Sequence, residues 1–378
     1  MNVWAEKQLD ELGYVSRGRS RHRPRDEKSL YGGIFPFIQT ADVKHAEFYI
    51  TSHTQTYSEK GLAQSRLWQA GTLCITIAAN IADTAILAYD ACFPDSIIGF
   101  IADPDICDVR FVKYFFSTVQ SRYKQIAQGA AQDNLSQQKL LTLKIPTPPL
   151  ATQQRIAEIL SNYDRLIDNN TRRIALLEES IHRLYQEWFV YLRFPGCDRV
   201  KVVDGVPEGW EKMPFGDALI LQRGFDLPHK DRKRGSIPVY ASTGINGFHN
   251  VAKVKAPGIV TGRSGSLGSV MYIQQDFWAL NTTLWVKEFK QVTVPFAYFL
   301  LSNLDLASYQ GGSAVPTLNR NAVHAVEITV PDMNIQQKFD EIVHPAFKQI
   351  ETFNRYNEKL REARDLLLPR LMNGSLAV

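Results

Sequence analysis

Residues 151–191 read ATQQRIAEILSNYDRLIDNNTRRIALLEESIHRLYQEWFVY, and within them Ile167, Asn170, Ile174, Leu177, Ile181 and Leu184 recur three and four residues apart. That spacing puts a narrow apolar seam along one long helix. Pro148-Pro149 stops whatever precedes it, and Thr152 is the expected N-cap. At a rise of about 1.5 Å per residue such a helix is a rod of roughly 60 Å.

The rod has a twin at the end of the chain, NIQQKFDEIVHPAFKQIETFNRYNEKLREARDLLLPRL. Gln153-Gln154 recurs as Gln336-Gln337, 183 residues later. The same offset pairs Glu158 with Glu341, Ile159 with Ile342, Ile167 with Ile350, Leu177 with Leu360 and Leu184 with Leu367, with no gap. It also runs back out of the helix: Phe116 pairs with Phe299, Gly129 with Gly312, Leu135 with Leu318, Ile145 with Ile328 and Pro148 with Pro331. The chain therefore reads as a tandem duplication of globule and rod.

Composition bounds the rest. The chain has 378 residues, 44% of them hydrophobic, enough for more than one globular core. The start, MNVWAEKQLDELG, is charged and unlike a signal peptide. The most apolar run, residues 73–88, is broken by Asn80 and Asp83 and is too short to span a membrane. A cytoplasmic protein without a membrane role is expected. Cys74, Cys92, Cys107 and Cys197 show no CxxC spacing and read as small core residues in a reducing compartment. The histidines show no metal-ligand spacing, so no metal site is expected. The formal net charge is +4, and because both rods are nearly balanced the basic surplus lies in the globules.

In the first globule Trp4, Leu9 and Leu12 form an apolar opening. Arg17-Gly18 follows, and then arginine at every second position: Arg17, Arg19, Arg21, Arg23 and Arg25. In an extended chain all five guanidinium groups would share one side, a comb suited to a phosphate backbone or to guanine edges. A solvated loop is the plain alternative. The second globule tips the balance: Trp210 and Arg223-Gly224 stand 206 residues after Trp4 and Arg17-Gly18, and cations follow again as Lys230, Arg232, Lys233 and Arg234. Duplication in both composition and position favours a nucleic-acid role. The fall of the offset from 206 to 183 means a net insertion of 23 residues in the first globule, placed between Ala41 and Ala70.

Residues 34–38 and 237–240 read as short strands. GTLCITIAANIADTAILAY and GIVTGRSGSLGSVMYIQ read as strand–turn–strand units, with Asn80-Ile81-Ala82 opposite Ser266-Leu267-Gly268. Gly262, Gly265 and Gly268 either bring the backbone close to a ligand or simply turn. Arg263, Ser264 and Ser266 could donate to phosphate or base edges. The loop is not a P-loop, because no GK[ST] follows. DFWALNTTLWV (276–286) reads as one strand interrupted at Asn281-Thr282-Thr283. Residues 111–123 and 296–309 read as short helices. The loops at Gly129-Ala130-Ala131 and Gly311-Gly312-Ser313 precede the last strand of each globule.

Two related helices in one chain pack most simply on each other, antiparallel. Asn357 and Arg364 are polar at seam positions of the second helix and should fix register, and Pro345 should kink or restart it. Leu176, Leu192, Trp188, Phe189, Leu366 and Leu368 exceed what a two-helix seam needs and predict a docked partner protein. The expected fold is α+β and pseudo-two-fold: two mixed α/β globules separated by two long helices forming an antiparallel coiled coil. Two basic modules at a fixed separation fit two short sites about a helical turn of DNA apart, roughly 34–36 Å.

This arrangement resembles the specificity subunit of Type I restriction-modification systems over essentially the full length. The resemblance is carried by PPLATQQRIAEILSNYDRLIDNN and its continuation RRIALLEESIHRLYQEWF, by VPEGWEKMPFGD, GRSGSLGSV and DFWALNTTLWV, and by the closing LLLPRLMNGSL. It implies target recognition domains at 1–149 and 210–331, conserved helical regions at 150–192 and 332–378, and a linker at 193–209. Each recognition domain would read one half of a bipartite, asymmetric site in double-stranded DNA. The helices would set the spacing and bind two adenine methyltransferase (modification) subunits. The expected partner-binding residues are Gln153, Gln154, Trp188, Phe189, Gln336, Gln337, Leu366 and Leu368. S-adenosylmethionine, ATP and Mg would belong to those subunits and to a restriction/translocase subunit, with no cofactor held by this chain. It would be non-catalytic, in keeping with the lack of a [DN]PP[YF] methylation motif and of a Walker A motif.

Two other readings stay open at this point. An enzyme would have to build its site from pairs such as His229 with Asp231, which form no triad, dyad or metal set. A coiled-coil scaffold with protein- or glycan-binding modules would use Trp210, Trp278, Trp285, Tyr240 and Phe248.

Overall fold

Pro148 and Pro331 each close an apolar strand, and a long helix begins two residues after each. The computed structural model describes residues 4–78, 82–128, 137–311 and 316–378. The expectations placed on Asn80-Ile81, on Gly129-Ala130-Ala131 and Leu135, and on Gly312-Ser313 lie outside the described residues. The chain divides into two compact units, residues 1–169 with 356–378 and residues 170–355.

In the first unit β1 (Ala5–Lys7), β2 (Gly13–Arg17), β3 (Tyr31–Phe37), α1 (Thr40–His45), β4 (Tyr49–Ile50), β5 (Gln55–Tyr57), α2 (Glu59–Ala63), β6 (Leu73–Thr76), β7 (Thr84–Leu87) and β8 (Ile97–Ala102) come first. They are followed by α3 (Val109–Gln128), α4 (Gln137–Leu141), β9 (Ile145–Thr147) and the start of α5 (Leu150–Tyr185). The main sheet runs in the order β2-β8-β6-β7-β4. Every residue of β6 and β7 is buried because both faces of the sheet are covered. Alternate residues serve the two sides: Leu73 and Ile75 join Phe111, Val112 and Phe116 of α3, whereas Cys74 joins Val43, Trp68 and Phe93. Burial pushes the Cys107 thiol up to about 12 and Cys74 higher still, so both behave as inert core residues.

The second unit holds β10 (Val202–Val203), β11 (Val206–Pro207), β12 (Glu211–Pro214), α6 (Phe215–Ala218), β13 (Leu219–Arg223), β14 (Ile237–Ala241), β15 (Gly244–His249), β16 (Gly258–Gly262), β17 (Val270–Ile273), β18 (Trp278–Ala279) and β19 (Thr283–Phe289). Then come α7 (Val294–Asn303), β20 (Gln310–Gly311), β21 (Thr317–Leu318), α8 (Arg320–His324), β22 (Glu327–Val330) and α9 (Met333–Met372). The order β13-β19-β16-β17 makes the main sheet, and β15-β14-β18 a second one. Ile259 packs with Phe296 and Leu300 of α7, while its neighbour Val260 packs with Phe277 on the other face. This is the division seen in the first unit.

The two long helices run antiparallel within each unit. In the first, Asp164 meets Arg364, and Ile156 and Leu160 share a core with Leu371 and Met372. In the second, Arg173 lies over Phe353 and Tyr185 over Phe339. Asn357 is buried in the first unit and Asn170 in the second, polar groups at seam positions as the spacing predicts.

Four local expectations are corrected. Helix α5 starts at Leu150, so Thr152 is not the N-cap: its N–H already donates to the Pro149 carbonyl in the first turn. Pro345 does not restart the second helix, for α9 is continuous from Met333 to Met372. Glu341, whose carbonyl would have received the missing N–H, is exposed, so water can satisfy that oxygen. The helix expected over 296–309 ends at Asn303, whose side-chain amide donates to the Phe299 carbonyl, and a separate 3-10 turn covers Leu306–Tyr309. DFWALNTTLWV is two strands in two sheets. Leu280 N–H donates to Tyr240 and the Thr283 N–H and hydroxyl turn back to Leu280, which ends β18 before β19 begins.

Asp340, on the first turns of α9, accepts from the Thr293 hydroxyl at 3.0 Å. Burial raises its carboxyl to about 6, above the ordinary 3.8, although the hydrogen bond and His344 oppose the shift. A raised carboxyl favours the protonated folded state: its stabilising contribution is full below about 4 and is lost as pH rises through about 6. Asp340→Asn is therefore expected to stabilise the protein at pH 7.5 by about 1 kcal/mol, solvent screening included, with no gain near pH 4. Thermal melting of both forms at the two pH values checks this, and a gain of equal size at both would sink it.

Candidate nucleic-acid interface

The duplicated Arg-Gly dipeptide is a crossing point in both units. In the first, Gly18 N–H donates to Ile97 at 2.8 Å and Arg19 N–H to Phe93 at 3.0 Å. In the second, Gly224 N–H donates to Thr283 at 3.0 Å and Phe225 N–H to Ala279 at 2.8 Å. The chain leaves its edge strand and lies on the turn that precedes β8 or β19. A Cβ at Gly18 would stand 2.4 Å from the Pro94 carbonyl oxygen, and one at Gly224 2.2 Å from that of Leu280, so only glycine fits.

Beyond the first crossing, exposed Arg17, Arg19, Arg21 and Arg23 alternate with buried or half-buried Gly18, Ser20 and His22. The backbone is pinned from beneath. Arg21 and His22 N–H both donate to the Gln64 side chain at 2.6 and 3.0 Å, and the Ser65 hydroxyl donates to the Arg19 carbonyl at 2.7 Å. The five-arginine comb is nevertheless corrected at its far end. Arg23 folds back onto the Ser20 and His22 carbonyls, and Arg25 clasps Asp95 through two bonds of 2.9 and 3.0 Å. The strand-like alternation ends in a turn at 23–26, where Glu27 gathers His22, Ser29 and Lys60; those partners hold its carboxyl down to about 2. Arg17, Arg19 and Arg21 remain as the outward row.

In the second unit the Asn281–Thr282 turn is the hub. Arg263 and Ser264 N–H donate to the Thr282 carbonyl at 2.9 and 3.1 Å, and the Arg263 guanidinium reaches the Asn281 carbonyl at 3.2 Å. The Asn281 amide donates to Asp226, and Asp226 stands 3.7 Å from Arg223. Arg223, Arg263 and Ser264 are thus brought to one corner, with Ser266 exposed beside them. Gly262 is required by its own turn: a Cβ there would lie 1.8 Å from the Ser266 carbonyl oxygen. The other cations sit on the β14–β15 edge, where Arg232 is tied to Asn246 and Lys233 N–H donates to His249 at 3.0 Å. Lys230 and Arg234 are exposed.

Of the eight residues expected to bind a partner, Gln153, Gln336 and Trp188 are buried within the chain. Gln153 is buried, donating to the Ile106 and Pro148 carbonyls at 3.0 and 2.9 Å and accepting from Asp108 N–H at 3.1 Å. Gln336 does the same with Gln291 and Pro331 at 3.0 and 2.9 Å and Thr293 N–H at 2.9 Å. Both are internal staples between the helix start and the loop before α3 or α7. Trp188 belongs to the second unit's core, with partly buried Phe189 packed against it, and partly buried Leu368 packs on the first unit's. Gln154, Gln337 and Leu366 are exposed.

Sequence reasoning missed Tyr14 and Arg66 in the first unit. The Arg66 guanidinium lies 4.0 Å from the Trp68 ring and donates to the Tyr14 hydroxyl at 2.7 Å. It also missed Asp226, Asn281 and Lys253 in the second. The available signal was distance from the duplicated dipeptide: Tyr14 precedes Arg17 by three residues and Asp226 follows Arg223 by three. Among the described residues no group of three His, Cys, Asp or Glu could hold a metal ion, and no helix is long and apolar enough to cross a membrane.

Two units of one plan, each presenting cations at a glycine-crossed corner, define a DNA-recognition chain built by duplication. The family model for the Type I restriction modification DNA specificity domain matches residues 1–179 and 207–362, and the chain belongs to that family as a DNA sequence-recognition subunit. It is 26% identical to the Type I restriction enzyme MjaIX specificity subunit of Methanocaldococcus jannaschii, covering 99% of this chain and 94% of that one. It is 21% identical to the HindI specificity subunit of Haemophilus influenzae over the full length of both. Its fold is similar to the crystal structure of the S subunit from M. genitalium, with TM-score 0.65 at 18% identity, covering 98% of this chain and 96% of that one. The scaffold with protein- or glycan-binding modules finds no support in these likenesses.

Proposed function

We propose that this chain is the non-catalytic subunit that selects a bipartite, asymmetric site in double-stranded DNA, one half-site for each unit. The observation that carries the reading is the pair of Arg-Gly crossings, alike in backbone and unlike in the side chains around them. Like backbones place each unit on the duplex in the same way; unlike side chains ask for different base pairs. The recognition domains are taken as 1–149 and 210–331, with helical regions 150–192 and 332–378 and a linker at 193–209. The helical regions set the separation of the half-sites and carry two adenine methyltransferase subunits, together with a restriction/translocase subunit, in the cytoplasm. S-adenosylmethionine, ATP and Mg belong to those partners. Methylation mapping in cells that carry this chain with its methyltransferase is the test. A split motif with two unlike halves is expected, and a continuous palindrome would overturn the reading.

Arg17, Arg19 and Arg21 are assigned to phosphates. Replacing all three by Ala is expected to flatten the plot of log affinity against log salt by about 2–3 and to weaken DNA binding by the complex about a hundredfold. Titrations between low and moderate salt measure both; an unchanged slope would place the row elsewhere than on DNA.

A further inference from the structure

We propose that the Asp226–Asn281 pair of the second unit reads an exocyclic amino group, that of adenine or cytosine, on a base edge in the major groove. The inference rests on the DNA-recognition reading and narrows it to one corner of one unit.

Asp226 lines a cleft of about 550 Å³ together with Arg223, Phe225, Lys253 and Trp278 among others, and holds Asn281 beside it. The cleft has an aromatic wall and a cationic rim, with the Lys253 ammonium 5.4 Å from the Trp278 ring. Among the described residues Asp226 is the only acid lining it, and its side chain is 69% exposed. A carboxylate on a surface turned toward phosphates is repelled by them. Its presence there is useful only against a hydrogen-bond donor, and the major-groove edges of DNA offer N–H donors only from cytosine N4 and adenine N6. Asp accepts from cytosine N4, and Asn makes two bonds with adenine at N6 and N7.

The pair is also held still. Asn281 donates one amide N–H to Oδ1 of Asp226. Its backbone is fixed by the Arg263 guanidinium, and the Thr282 carbonyl beside it accepts from Arg263 and Ser264. Gly224 and Phe225 pin the approach of Asp226. Reading a base demands such fixed geometry. The bland account, a plain ion pair with Arg223, is weak: at 3.7 Å between exposed groups it contributes little. In the first unit the matching turn position is Asp95, whose two carboxylate oxygens are both taken by Arg25. The assignment is therefore made for the second unit alone.

The test uses the complete methyltransferase complex carrying Asp226→Asn, which keeps the shape, or Asn281→Ala. Methylation mapping and initial rates on the native motif are read together. The expected result is tolerance at one A or C position of one half-site, with the rate on the native motif lowered about tenfold to a hundredfold and the other half-site unchanged. An unchanged motif at a rate within about twofold overturns the proposal, and so does a uniform loss with the motif intact. A melting temperature lowered by more than about 5 °C in the Asp226→Asn chain would show that the carboxylate serves the fold, and overturns it too. If the native complex methylates no split motif, it is the DNA-recognition reading that fails.

Discussion

Gln336→Leu is expected to lower stability by about 4 kcal/mol, and Gln153→Leu by a similar amount. Each glutamine satisfies one buried carbonyl, one part-buried carbonyl and one part-buried backbone N–H, and Leu fills the same volume while offering nothing to any of them. A fully buried backbone group left without a partner costs about 1–3 kcal/mol and the two part-buried groups somewhat less each, which together outweigh the gain from a more apolar side chain. The exposed neighbours Gln154 and Gln337 supply the control: their replacement by Leu should change stability by less than about 0.5 kcal/mol. Urea unfolding monitored by circular dichroism measures both. A loss below about 1 kcal/mol for the buried pair would mean that the staples are dispensable. The same result would return Gln153 and Gln336 to the role of partner contacts, which their burial now denies them.

The second large effect lies in the first unit. Arg364→Ala is expected to cost about 3–5 kcal/mol, because it strips the cation from a carboxylate that stays buried. Asp164, whose side chain is 16% exposed, accepts from Arg364 at 2.6 Å and from the Tyr114 hydroxyl. The second unit shows how the same packing is solved without charge: 183 residues on from Asp164 stands Phe347, and 183 residues before Arg364 stands Ile181, both buried. The double variant Asp164→Phe with Arg364→Ile should accordingly recover most of the loss. Equal damage from the single and the double variant would show that the pair's shape, not its charge, is what the first unit needs.

The fold was largely readable because its signals are local or periodic. The 3–4 spacing of Ile174, Leu177, Ile181 and Leu184 states which face of α5 is buried without reference to any other residue. The 183-residue offset states that a second helix repeats the arrangement. Where the reading failed, one local interaction decided. The Asn303 amide ended α7, the Leu280 N–H ended β18, and at exposed Glu341 the helix α9 runs on through Pro345.

The candidate site was readable only as a place. Arg17-Gly18 and Arg223-Gly224 marked the crossings, and the cations after them followed from composition. Which cations face outward depends on residues far along the chain: Arg25 is taken by Asp95 and Arg232 by Asn246. Asp226 gained its meaning only when the fold set Asn281 beside it.

From the amino acids alone came the duplication, the two long helices and the basic corners, because periodicity and repetition are written along the chain. The tertiary structure alone decided that the paired glutamines are internal staples, that the arginine row is three residues long, and that an acid sits among the cations of the second unit. The long-range part of those outcomes comes from contacts that spacing along the chain does not encode: Gln153 with Ile106, Gln336 with Gln291, Arg25 with Asp95 and Asn281 with Asp226.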